Sequence, residues 1–142
     1  MGNRLVAAAA LVAAAAPASG LALGESRHAA AAGLPVCAHP YPAVERPAGL
    51  AAFPLPAGTV LDRRRVEYGY TILGGRVPGG INPVRDFLVS RAPAAGYRIV
   101  GGDAEAAEAE AAFAGHGGHG RWKVRLLPGC AGALTLELAF RR

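Results

Sequence analysis

His116 and His119 stand in the run Gly115-His116-Gly117-Gly118-His119-Gly120, three positions apart on a glycine-rich loop. Two neutral imidazoles at that spacing can share one zinc or copper ion, with His28 or His39 as a further ligand. The set is short of the four ligands that a structural zinc site needs, since no cysteine or carboxylate stands beside it. The competing reading is a solvated hairpin turn in which glycine supplies the backbone and histidine is incidental.

Cys37 and Cys130 are the only cysteines. In an oxidising compartment they form one disulfide, closing a loop near a hundred residues long and contributing roughly 4–5 kcal/mol on the chain-entropy argument. Two separate thiols or an intermolecular link are the alternatives.

A third group is basic: Arg63-Arg64-Arg65, Arg121, Lys123, Arg125 and Arg141-Arg142. On strands that pair side by side they make a face suited to an envelope polymer, a lipid headgroup or a nucleic acid. Glu67, Glu108, Glu110 and Glu137 can pair across the same strands and cancel it. Nucleic acid is the weakest of these partners, because no aromatic residues interleave for base stacking and Lys123 is the only lysine. The bias toward Arg, Ala, Gly and Pro reads first as the codon usage of a high-GC bacterium.

No catalytic constellation assembles. Ser26 and Ser90 lie outside any Gly-x-Ser-x-Gly elbow, there is no His-Glu-x-x-His, and Asp62, Asp86 and Asp103 occupy turn or surface contexts. Gly74-Gly75 and Gly79-Gly80 lack the lysine and hydroxyl of a phosphate loop. The expectation is a protein that is not an enzyme and has no cofactor.

The elements that hold these residues begin with a hairpin near the C-terminus. Trp122, Val124 and Leu126 alternate with Arg121, Lys123 and Arg125, and Leu134, Leu136, Leu138 and Phe140 alternate with Thr135, Glu137 and Arg141. A period of two marks strands with one buried face. A second hairpin is predicted from residues 59–65 and 70–77, with a turn at residues 67–69. Between the hairpins Asn82 suits a helix N-cap, Pro83 the first helical position, and Gly96 a left-handed stop.

Val84, Phe87, Leu88 and Ala92 share one face of that helix. Burying the first three contributes about 5–9 kcal/mol before entropy is counted, at roughly 1.5–3 for each. Pro93 disfavours helical backbone at Ala92 and should leave the last turn kinked or loose. Residues 97–100 read as a short strand ended by Gly101-Gly102. Residues 103–114 have helical propensity, yet Ala107-Glu108-Ala109-Glu110-Ala111 alternates, and strand is the reading taken. The resulting class is α+β: one helix packed on an antiparallel sheet, with elements in the order β-β-α-β-β-β-β.

Upstream, residues 1–18 have the layout of a secretory signal peptide: Arg4, the apolar run from Leu5 to Ala16, then Ala16-Pro17-Ala18, with cleavage expected after Ala18. An uncleaved anchor is the alternative; the run is short for a membrane core of about 30 Å. No cysteine beside it offers a lipid-attachment site. Residues 19–57 are an Ala- and Pro-rich arm or linker, in which Pro35, Pro40, Pro42, Pro47, Pro54 and Pro56 oppose regular structure. Residues 58–142 are the folded domain. Removing Arg4 takes the formal charge from +5 to 5 − 1 = +4.

Several stretches carry a resemblance: Leu55-Pro56-Ala57-Gly58-Thr59-Val60, Pro93-Ala94-Ala95-Gly96-Tyr97, Ala109-Glu110-Ala111-Ala112-Phe113-Ala114-Gly115, Gly120-Arg121-Trp122 and Leu127-Pro128-Gly129-Cys130. Over about residues 55–141 the sequence resembles a group of small secreted or envelope proteins of high-GC bacteria. The resemblance implies export and the fold, and transfers no functional residues.

The expected function is a secreted, non-catalytic binding or interaction module at the cell envelope, held by a Cys37–Cys130 disulfide, with a protein or an anionic envelope polymer as partner. A zinc- or copper-binding protein using His116 and His119 is one alternative. An inhibitor of an extracellular enzyme, presenting the Pro-rich arm, is the other.

Overall fold

A computed structural model describes residues 33–142. The expected signal peptide, its cleavage after Ala18, Ser26, His28 and the first part of the arm lie outside the described residues. Along the chain the elements are β1 (Val60–Glu67), β2 (Tyr70–Pro78), α1 (Ile81–Arg91), β3 (Tyr97–Ala104), β4 (Glu108–Gly115), β5 (Gly118–Leu126) and β6 (Ala133–Arg141). The strands form one antiparallel sheet in the spatial order β1-β2-β6-β5-β4-β3. Spatial order departs from chain order because α1 carries the chain from β2 to the far edge, leaving a gap that β6 fills last.

Alternation decides which side of each strand meets α1. Trp122, Val124, Leu134, Leu136 and Leu138 are buried on one face with Leu73 and Val77, and Ile81, Val84, Leu88 and Ala92 of the helix side join the same core. The same period settles residues 103–114. Ala109, Ala111 and Phe113 are buried and intervening residues of β4 face the other way, so tertiary burial overrides the local helical propensity.

The helix begins earlier than expected. Gly80, not Asn82, is the N-cap, and Asn82 and Pro83 are the second and third helical residues. Pro83 is tolerated there because the first-turn N–H groups have no partner within the helix, and the first bond runs from Val84 N–H to Gly80 O at 3.2 Å. Ile81 thereby reaches the core, whereas Phe87 is only half-buried. Pro93 leaves the backbone at Ala92 helical, and the α-helix ends at Arg91. Ala92 keeps helical angles and donates to Leu88 O at 3.1 Å, a 3-10 turn follows over Pro93–Ala95, and Gly96 reverses the chain at φ 83°.

β3 continues through the Gly101-Gly102 pair that was expected to end it. A bulge between Ile99 and Gly101 leaves Val100 outward and exposed. Beyond it Gly102 lies so close to β4 that a Cβ would stand 2.6 Å from Glu110 O. The β1–β2 and β4–β5 turns are two-residue loops with positive φ at both positions, Tyr68-Gly69 at 48° and 76° and His116-Gly117 at 51° and 74°. That geometry matches the twist of the flanking strands.

Within residues 33–57, part of the expected arm, side chains enter the core. Leu50 and Phe53 are fully buried, and Phe53 packs against Tyr97 and Phe113 with ring centroids at 5.1 and 4.6 Å. Tyr97 Oη donates to Gly49 O at 2.9 Å, and burial pushes its phenol pKa up. Prolines fit because these residues supply side chains to the core rather than a ladder to the sheet. The disulfide joins Cys37 to Cys130 across 93 positions with Cα atoms 5.5 Å apart. Close by, Arg76 Nε donates to Ala38 O at 3.1 Å, and Val44 N–H donates to Leu61 O at 2.7 Å, covering part of edge strand β1.

Candidate binding surface

Among the described residues no helix lies on the other face of the sheet, and the registers arrange its side chains in rows: Arg76, Thr135, Arg125 and Glu108 at one end, and three more beyond them. Arg63, Gly74, Glu137, Lys123, Glu110 and Asp103 form one row. Arg65, Ile72, Ala139, Arg121 and Ala112 form the next, and Glu67, Tyr70, Arg141, His119 and Ala114 the third. The Arg triplet is therefore split: Arg63 and Arg65 reach this face, while Arg64 pairs with Leu73 on the other phase.

Most of the charge is compensated across strands. Lys123 Nζ lies 2.7 Å from Glu110 Oε2 and 3.2 Å from Glu108 Oε1, and Arg125 Nε is 2.7 Å from Glu108 Oε2. Arg65 bridges Glu137 at 3.2 Å and Glu67 at 3.4 Å. Hydrogen bonds from Arg125 and then Lys123 hold the Glu108 carboxyl below the usual carboxylate range. Bonding to Glu110, then Glu108, raises the Lys123 ammonium, and bonding to Glu137 raises the Arg65 guanidinium. Arg63 is turned to Asp62 at 3.2 Å, a buried carboxylate at the β1 bulge that also accepts the Tyr41 N–H at 3.1 Å.

Arg121, like Arg141, makes no ion pair among the described residues; Arg121 is exposed and makes no side-chain hydrogen bond there either. It borders a groove of about 270 Å³ together with Arg63, Arg65, Lys123, Arg125 and Glu137. Gly74 leaves that groove open, because a Cβ there would come within 3.0 Å of Arg63 Nε.

Arg121 and Glu137 also border a second hollow, of about 470 Å³, over Ile72, Ala112 and Ala139. Its far wall is aromatic. Tyr70 Oη and His119 Nε2 are hydrogen-bonded at 3.1 Å, and the Arg141 guanidinium sits 4.9 Å from the Tyr70 ring centre. Tyr68 projects from the hairpin turn, 89% exposed. None of Tyr68, Tyr70, Ile72, Ala112 and Ala139 stood out in the sequence as a site residue. Their signal was small or apolar residues in the polar phase of a strand, such as Ala139 between Glu137 and Arg141.

The two histidines are directed to different partners. His116 Nε2 bonds Ala95 O at 2.8 Å and its ring lies 4.5 Å from that of Tyr97, whereas His119 is held by Tyr70. Among the described residues no group of three or more His, Cys, Asp or Glu is placed to hold a metal ion. Ser90 donates to Phe87 O at 3.2 Å within its helix, Asp86 bonds Arg85 at 2.8 Å, and Asp103 accepts the Ala104 N–H at 2.8 Å. No described helix is long and apolar enough to cross a membrane.

No family model matches this chain, and no curated protein matches it either.

Proposed function

We propose that this protein is an exported, non-catalytic binding module of the cell envelope or exterior, with the open sheet face as its working surface and an anionic partner as its ligand. The observation that carries the proposal is Arg121, an exposed guanidinium without an acidic partner among the described residues, at the junction of a basic groove and an apolar hollow. Neighbouring Glu–Lys and Glu–Arg pairs hold the surrounding cations in place, so an incoming carboxylate, sulfate or phosphate meets a preorganised donor array. The Cys37–Cys130 disulfide suits an oxidising compartment. The signal-peptide layout of residues 1–18 supplies the route there. The alternative of an inhibitor that presents a free Pro-rich arm has less support, because Leu50 and Phe53 are committed to the core.

Retention on immobilised heparin tests the reading. The wild-type protein should stay bound at physiological ionic strength, and Arg121→Gln should elute at clearly lower salt with an unchanged melting temperature. Wild-type protein that washes off at the lowest salt would mean the cross-strand pairs neutralise the face, and the proposal would fail.

A further inference from the structure

We infer that the ligand of the open face is a single-chain anionic amphiphile, its head held at Arg121 and its hydrocarbon lying in the hollow over Ile72, Ala112 and Ala139; this rests on the reading of that face as a binding surface.

A sheet face that merely contacts water has no need of this row. Ile72 and Ala139 are neighbours in register and each is 8% exposed, although no helix among the described residues covers them. Alanine is a poor strand former, and at positions 112 and 139 it makes a depression between taller side chains. Arg65 closes the depression at the β1 end of its row and Arg121 stands between Ala139 and Ala112, with Glu137 and Lys123 on one side and Tyr70 and His119 on the other. The floor carries no side-chain donor or acceptor. A hydroxyl-rich sugar ring would lose hydrogen bonds to water there and regain none, whereas methylene groups lose nothing. The charged end is specified separately, since the basic groove and the apolar hollow meet at Arg121 and Glu137. Arg121 selects an anion on the groove side of that junction, where Glu137 is already engaged by Arg65, and the adjoining floor selects an apolar body attached to it.

Tyr68 adds to the case. It holds a positive φ of 48°, a conformation that a bulky non-glycine residue adopts at a cost, and displays its ring at the rim of the hollow. An exposed aromatic side chain at a strained turn beside an apolar depression can fold over a bound chain.

Dodecyl phosphate, titrated calorimetrically below its micellar concentration, is the probe. One equivalent should bind, with affinity at least tenfold above that of inorganic phosphate and of dodecyl maltoside. Ala112→Trp fills the hollow and should weaken dodecyl phosphate at least tenfold; Arg121→Gln should weaken both dodecyl phosphate binding and heparin retention. With alanine methyls labelled, dodecyl phosphate should shift Ala112 and Ala139 and leave the buried Ala133 in place, a readout independent of whether Ala112→Trp folds. Inorganic phosphate binding as well as dodecyl phosphate would reduce the site to a simple anion site and overturn the inference. So would equal binding of both amphiphiles, or methyl shifts confined to other alanines. If heparin is retained and dodecyl phosphate does not bind, the amphiphile inference alone fails; if neither binds, the binding-surface reading fails with it.

Discussion

The two faces of the sheet are built by the same strands, residue by residue, and they are chemically opposite. Trp122 is fully buried beneath α1, while Arg121 and Lys123 on either side of it point to the open face. On the core face, large side chains interlock and each removes much apolar area from water. On the open face, long charged side chains are braced by carboxylates across strands and stand around a floor of small residues. Stability and recognition are therefore assigned to alternate positions of one chain, and a substitution should affect one with little effect on the other.

The sharpest break in that contrast is between neighbours. Trp122→Ala should lower unfolding free energy by about 3–5 kcal/mol, the range for truncating a large buried aromatic. Arg121→Ala should change it by less than about 0.5 kcal/mol, as is usual for an exposed position away from caps and networks. Urea unfolding of both variants is the measurement. Comparable losses would mean that the open face carries part of the fold, and the division of labour would be wrong.

Next in size is the disulfide, which fastens the segment before β1 to the β5–β6 connection. Cys37→Ala and Cys130→Ala should each cost roughly 2–5 kcal/mol, and the two melting temperatures should fall equally because both variants break the same bond. The double variant should be no worse than either alone. Unequal losses would indicate that Cys130, which packs with Ala38 and Ala133, acts mainly through its own burial.

How much of this was legible in the sequence follows from how local each signal is. The alternation around Trp122 and through Leu134–Phe140 states which face is buried without reference to the rest of the chain. Val84, Leu88 and Ala92 state the same for α1. Leu50 and Phe53 gave no such sign. They stand singly among prolines, and their burial depends on the pocket formed by Tyr97 and Phe113 far along the chain. The β3 bulge at Val100 is similarly non-local, since it exists to fit β3 to β4. For the candidate site, the basic residues and their cross-strand glutamates were readable as composition plus period. That Arg121 remains unpaired was not, because this depends on register: Lys123 lies opposite Glu110 and Glu137, while Arg121 faces Ala112 and Ala139. The hollow beside it was hidden for the same reason, as Ala139 and Ala112 look unremarkable until two strands set them on either side of one arginine.

The smallest effect expected concerns the braces themselves. Glu108 is held below its ordinary pKa, first by Arg125 and then by Lys123, and Lys123 is held above its own by Glu110 and Glu108. A depressed carboxylate contributes stability that is present above its unfolded-state pKa of about 4.3 and is lost as pH falls through the lower folded value; a raised ammonium contributes stability that is present below about 10.4 and is lost as pH rises through the higher folded value. The cluster should therefore support the fold on a plateau between those limits and fade at both ends. Glu108→Gln should melt slightly below wild type at pH 7, and the gap should close as acid protonates the wild-type carboxyl. Added salt should narrow the gap at pH 7, because these groups face solvent and are screened. A gap that stays constant from neutral pH into acid would mean that Glu108 matters for packing rather than charge, and the braces would then not be what holds the cations around Arg121 in position.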